Sequence, residues 1–75
     1  MKTRIRELRK QRHISQAELA RAVQVTRLTI TSIENEKYTA SLVLAYKISK
    51  FFGLTIEEVF DFSEIEEEEK SHESL

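Results

Sequence analysis

The chain contains no cysteine, no proline and no tryptophan, and has a single glycine among its 75 residues. The absent thiols exclude disulfides, zinc-thiolate sites and thiol nucleophiles, leaving the redox compartment open. The scarcity of glycine and proline, with no hairpin dipeptide such as Asn-Gly, fits an all-helical domain. No run of about 18 apolar residues exists, so no membrane-spanning helix is expected. The first residues, Met1 to Arg9, lack an apolar core segment, so a secretory signal is not expected and the cytoplasm is the default expectation. The length allows one small domain and excludes two substrate lobes. At 40% apolar residues a compact core is attainable.

The formal net charge of −1 conceals a split. Residues 1–50 carry eleven Lys and Arg against four acids, a net +7, whereas residues 51–75 carry one Lys against nine acids, a net −8. Such asymmetry suits a polyanion-binding body with an acidic tail, though a solvated helical surface with a disordered end explains the charge alone slightly better. The tail, residues 64–75, is expected to be a unit separate from the body, residues 1–63. Its acidic run from Glu66 to Glu69 repels itself and is expected to fray.

Periodicity predicts five helices. The first runs from about Thr3 to Arg12, with Ile5 and Leu8 on one face. Ser15-Gln16-Ala17-Glu18 reads as a capping box opening a second helix that ends near Val23. Thr26 caps a third, Arg27 to Asn35, with Ile30 and Ile33 inward. Ser41 caps a fourth, on which Leu42, Ala45, Ile48 and Phe52 are expected to share the buried face before Gly53 stops it. Thr55-Ile56-Glu57-Glu58 is a second capping box, opening a short last helix. Phe60 and Phe62 alternate with Asp61 and Ser63, which is compatible with a short C-terminal strand.

The second and third helices are about three or four residues apart, the connection of a helix-turn-helix. Opposite Ile30 and Ile33, the third helix presents Leu28, Thr31, Ser32 and Asn35, flanked by Arg27 and Thr29. This face has no acid. Its hydroxyls, arginine and leucine suit base edges and thymine methyls. Three Ser and Thr are poor helix formers, so the face is not optimised merely for solvated helicity.

The segment SQAELARAVQVTRLTITSIENEK, Ser15 to Lys37, resembles the phage repressor and Cro type of helix-turn-helix, the Xre family of small bacterial and phage regulators. The resemblance extends from about Ile5 to Phe60. It implies an all-α, five-helix repressor-like domain that binds DNA as a homodimer and regulates transcription, most often as a repressor at a pseudo-palindromic operator. By the same resemblance Gln16 would contact the DNA backbone, Arg27, Leu28, Thr29 and Ser32 would read bases, and Thr26 and Asn35 would touch phosphate, with Lys37 and Tyr38 beside them. Arg9 and Glu34 match a partly buried ion pair between helices one and three. His13, Gln24 and Glu36 stand where this family often has glycine, so those turns are either strained or differently shaped. Thr39-Ala40 stands where Asn-Pro is common, implying a looser loop.

Four phenylalanines within residues 51–62 exceed what one side of so small a core needs. Val59, Phe60, Phe62 and Ile65 are therefore expected at a dimer interface. His13 and His72 are isolated, so no metal site is expected. Neither a catalytic constellation nor a phosphate-cradling glycine loop is present. No enzyme activity, cofactor, membrane contact or small-molecule ligand is expected; the partners are double-stranded DNA and a second copy. Two rivals stay open: the antitoxin of a toxin–antitoxin pair, and a protein-interaction module that does not bind DNA.

Overall fold

The computed structural model describes residues 1–67. Five helices follow in order: α1 (Ile5–Gln11), α2 (Gln16–Ala22), α3 (Arg27–Glu34), α4 (Leu42–Phe52) and α5 (Ile56–Val59). A sixth helical segment, α6, occupies 63–67. Four of these helices start on a hydroxyl. Ser15, Thr26, Ser41 and Thr55 each accept a hydrogen bond from the backbone N–H three residues on, and at Ser15 and Thr55 the glutamate returns it as a full capping box. These bonds satisfy amide donors that helix geometry leaves without partners.

The four longer helices all end alike. His13, Gln24, Glu36 and Gly53 take φ of 56°, 64°, 61° and 71°. At each, the next amide reaches back five residues: Ile14 to Arg9, Val25 to Ala20, Lys37 to Ser32 and Leu54 to Ser49, at 2.9–3.1 Å. This is the left-handed Schellman ending, which glycine adopts without strain. Three of the four endings therefore carry a side chain at a position that disfavours one. The following residue is a half-buried apolar side chain, Ile14, Val25 or Leu54, in every case but the third, where Lys37 stands in solvent.

The core gathers Ile5, Leu19, Val23, Ile30, Ile33, Leu44, Ala45, Ile48, Phe52, Val59 and Phe60. Leu42 is not part of it: 77% exposed, it yields its expected place to Leu44. At 100° per residue, Leu42 lies about a quarter-turn from the middle of the stripe formed by Leu44, Ala45, Ile48 and Phe52. Val59 and Phe60 are also corrected from interface to interior, since both are enclosed within one chain. Phe62 is half-buried and Ile65 is exposed.

No strand of several residues forms among the described residues; Phe60 makes a single antiparallel bridge with Thr3. Hydrogen bonds from Arg4 N to Val59 O, 2.8 Å, and from Asp61 N to Lys2 O, 2.9 Å, flank it. Where the strand was expected to continue, the Asp61 carboxylate accepts from the Ser63 amide at 2.9 Å and from its hydroxyl, and the chain turns into α6. The acidic run is helical at Glu66 and Glu67; Glu68, Glu69, His72 and the rest of the expected tail lie outside the described residues. No helix among the described residues is long and apolar enough to cross a membrane.

Candidate nucleic-acid interface

Four residues, 23–26, separate α2 from α3. Val23 is buried, Gln24 supplies the left-handed turn and Val25 packs on the core, so the corner between the helices is fixed from inside. Thr26 then caps α3, and its hydroxyl lies 3.2 Å from that of Thr29. Ile30 and Ile33 bury the inner side of α3. Arg27, Leu28 and Asn35 stand exposed on the outer side, with Thr29 and Ser32 half-buried between them. The structure thus gathers the sequence-predicted residues Thr26, Arg27, Leu28, Thr29, Ser32 and Asn35 along one helix, with Lys37 exposed just beyond its end.

The only acid on α3, Glu34, is withdrawn from this surface: none of its side chain is exposed. Arg9 grips it with two bonds, Nε to Oε2 at 2.6 Å and Nη2 to Oε1 at 2.9 Å. Such a fork matches guanidinium to carboxylate geometry. The third nitrogen of Arg9, Nη1, donates to the Ile14 carbonyl at 3.1 Å, which ties the turn after α1 into the same cluster. Burial on its own would raise the Glu34 carboxyl, but hydrogen bonds from Arg9 and Gln16, the Arg9 charge and a bond from Arg6 outweigh it and hold Glu34 below its ordinary value. The bond to Glu34 holds Arg9 above its own ordinary value despite burial.

Two members of this cluster were not assigned to it by the sequence. Arg6 donates from Nε to Glu34 at 3.3 Å and from Nη2 to Asn35 Oδ1 at 3.0 Å. Its position three residues before Arg9 on α1 was the available signal. Gln16, expected against phosphate, donates to Glu34 at 3.1 Å and accepts from the Thr31 hydroxyl at 3.1 Å. Thr31 is thereby turned from the outer face toward α2. Gln16 keeps one amide hydrogen for another acceptor.

A second exposed apolar region lies on α4, where Leu42, Val43 and Tyr46 face water and the Lys50 ammonium stands 5.8 Å from the Tyr46 ring. Elsewhere Arg12 closes the end of α4: its guanidinium donates to the Phe52 carbonyl at 2.5 Å and sits 5.1 Å from that residue's ring. No group of three or more His, Asp or Glu placed to hold a metal ion occurs among the described residues.

A family model described as helix-turn-helix matches residues 5–59, which span α1 through α5 in full and stop short of Phe60 and α6. The chain is 49% identical over 70 residues to an Archaeoglobus fulgidus protein named an uncharacterized HTH-type transcriptional regulator, covering 93% of this chain and 99% of that one. A Methanocaldococcus jannaschii protein of the same description is 42% identical over 66 residues, covering 88% of this chain and all of its own. The Bacillus subtilis HTH-type regulator YgzD is 45% identical over 60 residues, or 80% of this chain and 91% of its own length.

Proposed function

Because the chain belongs to the Xre-type helix-turn-helix family, we propose that it is a cytoplasmic DNA-binding regulator that represses transcription by occupying a pseudo-palindromic operator as a homodimer. The observation that carries this reading is the acid-free outer face of α3, whose single glutamate is enclosed by Arg9, Arg6 and Gln16. With Glu34 sequestered, Arg27 is the only exposed charge on the helix, and no carboxylate on it opposes phosphate.

In this reading α3 lies in the major groove. Arg27, Leu28, Thr29 and Ser32 meet base edges, while Thr26, Asn35 and Lys37 meet phosphates and set the register. Gln16 contributes its spare amide hydrogen to the backbone and at the same time anchors α3. Repression is then equilibrium occupancy, without catalysis, cofactor or small-molecule effector. A two-fold dimer sets the two recognition helices about 34 Å apart, one turn of duplex. With Val59 and Phe60 interior, the dimer face reduces to Phe62 at the end of the body and Ile65 on α6.

The test is selection of bound sequences from random DNA, followed by binding of variants. Arg27→Ala should lower the cognate-to-random affinity ratio, while Lys37→Ala should weaken all sequences about equally and flatten the salt dependence. An unchanged ratio in Arg27→Ala sinks the base-reading assignment. Sedimentation of Ile65→Asp should show monomer; a surviving dimer would move the interface to the exposed Leu42, Val43 and Tyr46 of α4. Sequence-independent, salt-insensitive behaviour would favour the protein-interaction reading.

A further inference from the structure

Beside the outer face of α3 is an open notch of about 280 Å³, lined by Leu28, Thr29, Ser32 and Tyr38. Leu28 is 70% exposed and Tyr38 48% exposed. Burial in the protein's own core accounts for neither side chain. Tyr38 does not belong to α3. The left-handed turn at Glu36, closed by the Lys37 amide on the Ser32 carbonyl at 2.9 Å, reverses the chain and brings residue 38 alongside the helix. The notch therefore has two apolar walls from different segments, Leu28 and Tyr38, and hydroxyls on Thr29 and Ser32 between them. The Thr29 hydroxyl is already engaged with Thr26.

Of the groups that base edges present in the major groove, one is apolar: the C5 methyl of thymine, which lies beside the O4 acceptor. An apolar cleft with a neighbouring hydroxyl donor complements that pair of groups. Cytosine offers no methyl and puts an amino donor where thymine has O4. We infer that the Leu28–Tyr38 notch seats a thymine methyl while the Ser32 hydroxyl donates to the adjacent O4, so that each operator half-site carries a thymine at this step. The inference rests on the proposed placement of α3 in the major groove. It adds to the reading surface a residue from outside the recognition helix, Tyr38.

Uracil differs from thymine only by that methyl, which makes it the probe. In the operator defined by selection, each thymine is replaced in turn by uracil. At one thymine per half-site the substitution should weaken binding about fourfold, the loss expected for exposing one buried methyl-sized group. At the same step 5-methylcytosine should bind tighter than cytosine. The thymine-to-uracil ratio should fall toward one in Leu28→Ala and in Tyr38→Ala, and stay near the wild-type value in Tyr38→Phe. The ratio is taken within one protein preparation, so a variant with a smaller active fraction still reports it. Selective operator binding with no thymine-to-uracil difference at any step overturns the notch and leaves the operator reading standing. A ratio that collapses in Leu28→Ala but not in Tyr38→Ala overturns the two-walled seat. Absence of any sequence preference overturns this inference together with the function on which it rests.

Discussion

At the start of α3, Arg27 and Leu28 stand in water and Thr29 bonds to its own cap. Seven residues after Arg27, Glu34 is enclosed and takes hydrogen bonds from three side chains on two other helices. One helix is therefore free at the end proposed to read and fastened at the other. The difference separates two kinds of substitution. Changes at the first end should alter what is bound while leaving the fold alone, and changes at the second should unfold the domain before they alter specificity.

The largest effect is expected at the fastened end. Glu34→Leu strands the buried Arg9 guanidinium and should lower stability by about 3 kcal/mol, as removal of one partner of a buried pair does. Arg9→Met should act similarly, and the double variant should lose less than the two single losses together. Thermal melts of the three variants decide; simple additivity would show the fastening to be illusory. The same carboxylate gives a pH signature. Glu34 ionises more readily folded than unfolded, so its contribution is complete above its ordinary value of 4.5 and disappears as the pH falls below it. Denaturant titrations of Glu34→Gln between pH 7 and about pH 3 should show a shallower acid loss than the wild type.

At the free end, Leu28→Ala should cost about 1–3 kcal/mol of binding to the selected operator. Its melting temperature should stay within about a degree or two of wild type, because Leu28 is exposed. A large stability loss there would break the contrast. Gln16→Ala should fall between the two ends, losing about 1.5 kcal/mol of stability with the bond to Glu34 and some affinity for all DNA. Loss of affinity without loss of stability would return Gln16 to a purely phosphate-facing role.

Much of this contrast was legible in the residues. The four hydroxyl caps, both capping boxes and the stop at Gly53 follow from short-range hydrogen-bond chemistry, which a few neighbouring residues determine. The Arg9–Glu34 pair came from resemblance, and the structure adds the fork. What could not be read depends on three-dimensional neighbours. Leu42, Val43 and Leu44 are consecutive apolar residues, so periodicity does not say which of them faces inward. Val59 and Phe60 looked surplus to a small core because nothing in the local sequence reveals that residues 2–4 pair beside them. Resemblance implied a phosphate contact for Gln16, but its reach to Thr31 and Glu34 crosses from α2 to α3 and leaves no trace in the local sequence.

The smallest expected effect lies just beyond the fastened end. Glu36→Gly relieves a left-handed side chain and should stabilise the domain by about 1 kcal/mol. The operator-to-random ratio should not change, although removing the charge should strengthen binding to all DNA. A fall in stability would mean that the Glu36 side chain contributes contacts that outweigh its strain.

The bridge between Thr3 and Phe60 has a consequence for the order of events during synthesis. Residues 2–4 leave the ribosome well before their backbone partners, Val59 to Asp61, which are among the last of the body to be made. α1 therefore cannot acquire its full set of contacts until almost the whole body has been translated, and closing the intervening loop carries an entropy cost that grows only slowly with length. At about 5–20 residues per second, the N-terminal segment waits several seconds for its partner. Nascent chains arrested before residue 59 clears the exit tunnel should leave α1 open to protease, and chains arrested beyond residue 61 with a spacer should protect it.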